Sequence, residues 1–202
     1  MKGLLTRAGS YLRTEAIYLL LLLALFVVGA VMGFGGLLSV PLTEAESLRE
    51  ALGGLLEKGA WESGDYFAQF WRAFVFNGLL LFIIFFVGAS MFGTPIICAA
   101  LFYKGYSLGY LLAFLYLAGA LRGFLLAFLL VLPQAAILIP VFLLASKSAI
   151  AFSLSLLTGG NCGASVLLSY SLRFVILFAA VLAAAFWQGY LSPLFLQIFL
   201  NF

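Results

Sequence analysis

Of the chain's 202 residues, 66% are hydrophobic and 8% are charged, whereas a soluble domain is about half apolar and about a quarter charged. That excludes a water-soluble fold and makes lipid the solvent. The formal charge of +3, on lysines and arginines scattered among apolar runs, gives no surface for nucleic acid.

In chain order, Lys2, Arg7 and Arg13 precede an apolar run from Ala16 to Leu38. The run is too long for the core of a cleaved signal peptide and has no convincing small-x-small site, so it reads as a retained first span. The basic residues before it put the N-terminus in the cytoplasm. Gly29-x-x-x-Gly33 gives this helix a face on which another backbone could approach closely.

From Pro41 to Asp65 the composition inverts: Glu44, Glu46, Glu50, Glu57, Glu62 and Asp65 stand against Arg49 and Lys58. Following the first span, this acidic loop, about residues 41–72, is expected outside the cytoplasm. Thr43 and Glu46 have capping-box spacing, and Ala45, Leu48, Leu52 and Leu55 recur on one face, which predicts an amphipathic helix on the membrane surface. The loop reads either as a solvated connector or as a docking surface, with Glu46, Glu50, Glu57 and Trp61 as the candidate contacts. Trp61, Tyr66, Phe67, Phe70 and Trp71 then form an interfacial aromatic belt, where Arg72 can snorkel.

A second span is predicted over Ala73 to Phe92, with Asn77 near its outer end and Gly93-Thr94-Pro95 as its stop. Lys104 interrupts the next apolar segment, and a lysine sunk in hydrocarbon costs about 2.5–3.5 kcal/mol. The expected relief is a short helix to Phe102, Lys104 at the cytoplasmic face or in a wet crevice, and a span beginning at Gly105. Gly105-x-x-x-Gly109 and Gly119-x-x-x-Gly123 are further close-packing turns, and Arg122 marks an outer turn. The fourth span is expected from Gly123 to Ala145, kinked at Pro133 and Pro140, with Gln134 satisfying freed backbone groups. Residues 148–157 alternate serine with large apolar residues and read as interfacial or re-entrant. A Gly/Asn/Cys turn follows, and Arg173 sits near the cytoplasmic start of a last span from Phe174 to Tyr190. Cys98 and Cys162 read as small packing residues, not a disulfide.

The fold class is therefore all-α: one integral membrane domain over residues 1–202, a polytopic transmembrane helical bundle of about five spans. The surface helix and the re-entrant or interfacial helix are added to it. The N-terminus is expected inside and the C-terminus outside. A sixth crossing at residues 140–157 would reverse the C-terminus but strand Lys147 in mid-membrane.

Histidine is absent, no cysteines have metal-site spacing, and no predicted span contains an acid, so neither cofactor nor metal chemistry is expected. Ser153 or Ser155 with Lys147 is a conceivable nucleophile and base, but serine in such helices more often packs. Asn77, Lys104, Arg122 and Gln134 have two readings. As structural groups they hydrogen-bond between helices; as functional ones they line a crevice for a lipid headgroup, a partner helix or a solute. Two functions follow: a non-enzymatic membrane scaffold that could self-associate, or a transporter or permease subunit whose path Lys104, Gln134 and the fourth span would border.

The run Phe102-Tyr103-Lys104-Gly105 with Gly109, then Gly123 to Phe128 leading to Leu132-Pro133-Gln134, then Ile139-Pro140-Val141-Phe142-Leu143 and residues 149–154, resembles the stage II sporulation protein M family. The ending Ala185-Phe186-Trp187-Gln188-Gly189-Tyr190-Leu191-Ser192-Pro193 is also similar to that family's. The resemblance implies a multi-pass membrane protein of endospore formers, acting when the mother-cell membrane engulfs the forespore. It further implies a role in peptidoglycan remodelling, as an anchor for the stage II sporulation proteins D, a lytic transglycosylase, and P, an amidase and endopeptidase. Such an anchor needs no catalytic residue.

Overall fold

The computed structural model describes residues 2–39, 66–90, 92–118, 131–159, 163–192 and 194, without the side chains of 2–15 and 118. The acidic loop with Glu46, Glu50, Glu57 and Trp61, its predicted surface helix, and Arg122, Gly123 and Cys162 lie outside the described residues.

The described chain forms α1 (Lys2–Leu38), α2 (Tyr66–Gly88), α3 (Gly93–Ala118), α4 (Leu132–Leu157) and α5 (Ala164–Phe186), the last continued by a π-helical turn over Trp187–Leu191. Helix is the conformation lipid demands of a single segment, because every backbone N–H and C=O must be satisfied without water. Among the described residues, five stretches are long and apolar enough to cross a membrane: Ala16–Leu38, Tyr66–Gly88, Gly93–Leu117, Leu132–Leu157 and Ala164–Leu191. The first has the predicted limits.

The other boundaries differ, each for a local reason. Helix α2 begins at Tyr66, not Ala73, because the aromatic belt is itself helical: Phe67 packs on Phe70 and Trp71, and Phe70 on Phe74, along one face. It ends at Gly88, and a turn through Ala89 and Ser90, with Gly93 N–H bonded to Ser90 O at 3.2 Å, leads directly into α3. Gly93-Thr94-Pro95 is thus the opening of α3, where a proline's missing N–H falls among the unpaired donors of a first turn. Helix α3 then runs unbroken through Lys104, so the predicted break near Phe102 does not occur. In α4, Pro133 lies in the first turn and only Pro140 is inside the helix, which continues to Leu157. Residues 148–157 are therefore the end of a spanning helix, not a re-entrant segment, and Lys147 sits within it.

Helix directions follow from facing residues. Gly29 of α1 faces Phe102 of α3 and Gly33 faces Tyr106, while Gly105 faces Phe26 and Gly109 faces Ala30, so these two run parallel. Gly189 meets Phe70 and Tyr170 meets Phe85, so the α5 segment is antiparallel to α2. Gly88 meets Ala149, and Ser153 reaches Ser90, which aligns α4 with α2. The bundle alternates up and down.

Its core gathers Phe26, Leu81, Ile84, Ile97, Leu101, Phe142, Ala145, Ala149, Phe174, Val181 and Ala184 from all five helices. Two hydroxyls fasten the end of α2 by adding a second bond to carbonyls that already accept a backbone N–H, Phe85 O from Ala89 and Ser90 O from Gly93. Ser153 Oγ donates to Ser90 O at 2.8 Å, and Tyr170 OH donates to Phe85 O at 2.8 Å. The Tyr170 ring is stacked between Phe85 and Phe152, with centroids 5.1 and 4.5 Å away. Tyr170→Phe keeps that stack and removes only the bond, so it should cost about 0.5–1.5 kcal/mol, read from the midpoint of unfolding in mixed micelles.

Helix α1 is held chiefly by α3, through two interlocked glycine pairs. A Cβ added at Gly29 or Gly33 would fall closer than 3.0 Å to the carbonyl oxygen of Phe102 or Tyr106; one at Gly105 or Gly109 would do the same to Phe26 or Ala30. Backbone thus lies on backbone, the contact that small residues at four-residue spacing permit.

Candidate functional site

Halfway along the bundle, α2 and α3 bring Asn77 and Lys104 together. Asn77 is 3% exposed and lies on the inward stripe Ala73, Asn77, Leu81, Ile84, while Lys104 sits beside Gly105 on α3, next to the α1 contact. Lys104 Nζ donates to Asn77 Oδ1. The amide is oriented by its other end, since Asn77 Nδ2 donates to Ala73 O at 2.8 Å, one turn back. An ammonium can only donate, so the oxygen must face it.

Two phenyl rings complete the lysine's surroundings: Phe142 of α4 at 5.2 Å and Phe76 of α2 at 5.5 Å from Nζ to ring centroid. A cation over an aromatic face gains about 0.5–2 kcal/mol, the more so when removed from water. Together with the Asn77 bond this offsets a cost of about 2.5–3.5 kcal/mol for a lysine at the centre of a span. No carboxylate approaches Lys104 among the described residues. The group is solvated by an amide and two quadrupoles while its charge stays uncancelled.

A second polar contact lies at another level. Gln134, in the first turn of α4, donates from Nε2 to Gln188 Oε1 in the π-helical turn at 2.7 Å. The turn brings Gly189 against Phe70, where a side chain would collide with the α2 backbone, and Tyr190 stacks on Tyr66 and Phe186. Gln134 therefore joins two helices and does not repair a kink. Because Gln188 serves as acceptor, Gln188→Glu should preserve the link and leave the unfolding midpoint nearly unchanged, whereas Gln134→Leu should lower stability by about 0.5–1.5 kcal/mol.

The predicted residues thus separate into groups. Asn77 and Lys104 meet, although Asn77 is in mid-helix and not at the outer end. Gly105 and Gly109 form the α1 contact, Pro133 lies in the first turn of α4 beside Gln134, and Pro140 lies on the exposed side of α4. The serines weighed as nucleophiles bind backbone: Ser153 to Ser90 O and Ser155 Oγ to Phe152 O at 2.7 Å. Phe76, Phe142 and Gln188 were not anticipated as site residues. The rings carried no distinguishing signal among 22 phenylalanines.

A family model described as Stage II sporulation protein M (SpoIIM) matches residues 21–193. No curated protein and no solved structure matches the chain.

Proposed function

The chain belongs to the stage II sporulation protein M family, a sporulation-related membrane protein family, and from that premise we propose that it is a non-enzymatic scaffold. It anchors and localises peptidoglycan hydrolases, the stage II sporulation proteins D and P, in the mother-cell membrane during engulfment. The observation that carries this reading is the family match over residues 21–193.

The build of the bundle supports it. Among the described residues two side-chain pairs join helices, Lys104 to Asn77 and Gln134 to Gln188, and the surroundings of Lys104 are closed on one side by the fully buried Phe142. The N-terminus lies in the cytoplasm, where Lys2, Arg7 and Arg13 hold it. A single crossing by α1 then carries the acidic loop between α1 and α2, with Glu46, Glu50, Glu57 and Trp61, to the side where the cell wall is built. There it serves as the docking surface for the hydrolases. The full chain, solubilised from sporulating cells after crosslinking through cysteines placed at Glu50 and Glu57, should carry protein D or P with it. Purification of the crosslinked chain without either would remove the docking role.

A further inference from the structure

We propose that Lys104 is a docking point for an acidic side chain at mid-span of a partner's transmembrane helix, approached through the α2–α3 face on which Phe76 stands. This goes beyond the hydrolase reading and holds whether or not the partner is a wall enzyme.

Lys104 is deep in the bundle. About 16 Å of helix separates it from the Gly93 end of α3 and about 21 Å from the Ala118 end, distances that a lysine side chain does not span. A fixed cation at such depth, with no anion, is a functional position by default. From Tyr66 to Phe202, and from Ala16 to Leu38, the sequence contains no Asp or Glu. None of these spans can therefore neutralise it, nor can the same spans of a second copy, so the missing anion comes from a further helix outside residues 1–202. A lipid phosphate stays at headgroup level, about 15 Å from the centre of the hydrocarbon, which leaves a carboxylate on another membrane-spanning helix.

The local geometry leaves room for that carboxylate. An ammonium has three donors, and Asn77 takes one. The rings on either side are unlike: Phe142 is fully buried, whereas Phe76 is 50% exposed. Phe76 is thus an outer wall one ring thick. Leu79, on the same face of α2, and Tyr103, beside the lysine on α3, are exposed as well, and they give a helix an apolar surface on which to lie. Rotation of the Phe76 ring would present the ammonium to that helix, and ion pairing in a medium without water would fix its depth and rotation.

The test uses the full chain in phosphatidylcholine nanodiscs and a fluorescent polyleucine peptide carrying one Glu or one Gln. With the substitution at mid-span, the Glu peptide should associate about tenfold more tightly than the Gln peptide, and Lys104→Gln should abolish the difference. With the Glu moved to the end of the peptide, the preference should vanish on the unaltered chain, a comparison that needs no substitution to fold. Equal association of the mid-span Glu and Gln peptides, or a preference independent of depth or of Lys104, would overturn the proposal.

Discussion

Gly33→Ala and Gly109→Ala should each destabilise the bundle by about 1–3 kcal/mol, the range for inserting atoms into a packed interface. Gly35→Ala, two residues from one of them, should stabilise it by up to about 1 kcal/mol. The difference in sign comes from position alone. A Cβ at Gly33 or Gly109 would overlap the Tyr106 or Ala30 carbonyl, whereas a Cβ at Gly35 meets nothing within 4 Å. The carbonyls belong to helix backbone and cannot rotate away as a side chain would, so relief requires α1 and α3 to separate. At Gly35 only the helix propensity changes, and that favours alanine over glycine by about 0.8–1.0 kcal/mol. Because Gly33 and Gly109 line one seam, the double variant should lose less than the sum, the second methyl entering a gap that the first has opened. Equilibrium unfolding in mixed micelles reads all four. Equal behaviour of Gly33→Ala and Gly35→Ala would mean that α1 does not pack on α3 as described.

The second large effect is a rescue. Asn77→Leu leaves Lys104 with two rings and no acceptor, and a hydrogen bond to a charged group is worth about 1.5–3 kcal/mol. Lys104→Leu removes the charge itself and leaves Asn77 bonded to Ala73 O through its other end, so it should cost less than about 1 kcal/mol, since a buried ion replaced by a packed apolar residue is often neutral. The double variant should then be more stable than Asn77→Leu alone. That ordering distinguishes a cation in need of a partner from ordinary core packing, in which the double variant would be the worst of the three.

Where the sequence was legible, a single physical rule governed the outcome. Apolar length sets the number of spans, and the first span agrees with its predicted limits because no proline or charge interrupts it. Where it was not, two rules competed. The burial cost of Lys104 points to a helix boundary, yet α2 supplies Asn77 and Phe76 and α4 supplies Phe142, which lower that cost. Gly93-Thr94-Pro95 has the composition of a stop, yet the same residues open the next helix, because proline marks a first turn as readily as an end. The alternating serines of residues 148–157 suggested an interface. In the fold Ser153 is buried and its hydroxyl meets a carbonyl on α2, a partner far away in the chain. Gly29, Gly33, Gly105 and Gly109 were visible as spacings, but which pair faces which is decided only by the packing of α1 on α3.

The central claim, that this bundle holds wall hydrolases in place, is tested most directly in sporulating cells from which the chain has been removed. Fluorescent fusions of the stage II sporulation proteins D and P would be followed at the septum before and after the chain is restored. The account predicts that both disperse along the mother-cell membrane, that engulfment stalls, and that restoring the chain gathers them again. Hydrolases that remain at the septum in its absence would contradict it.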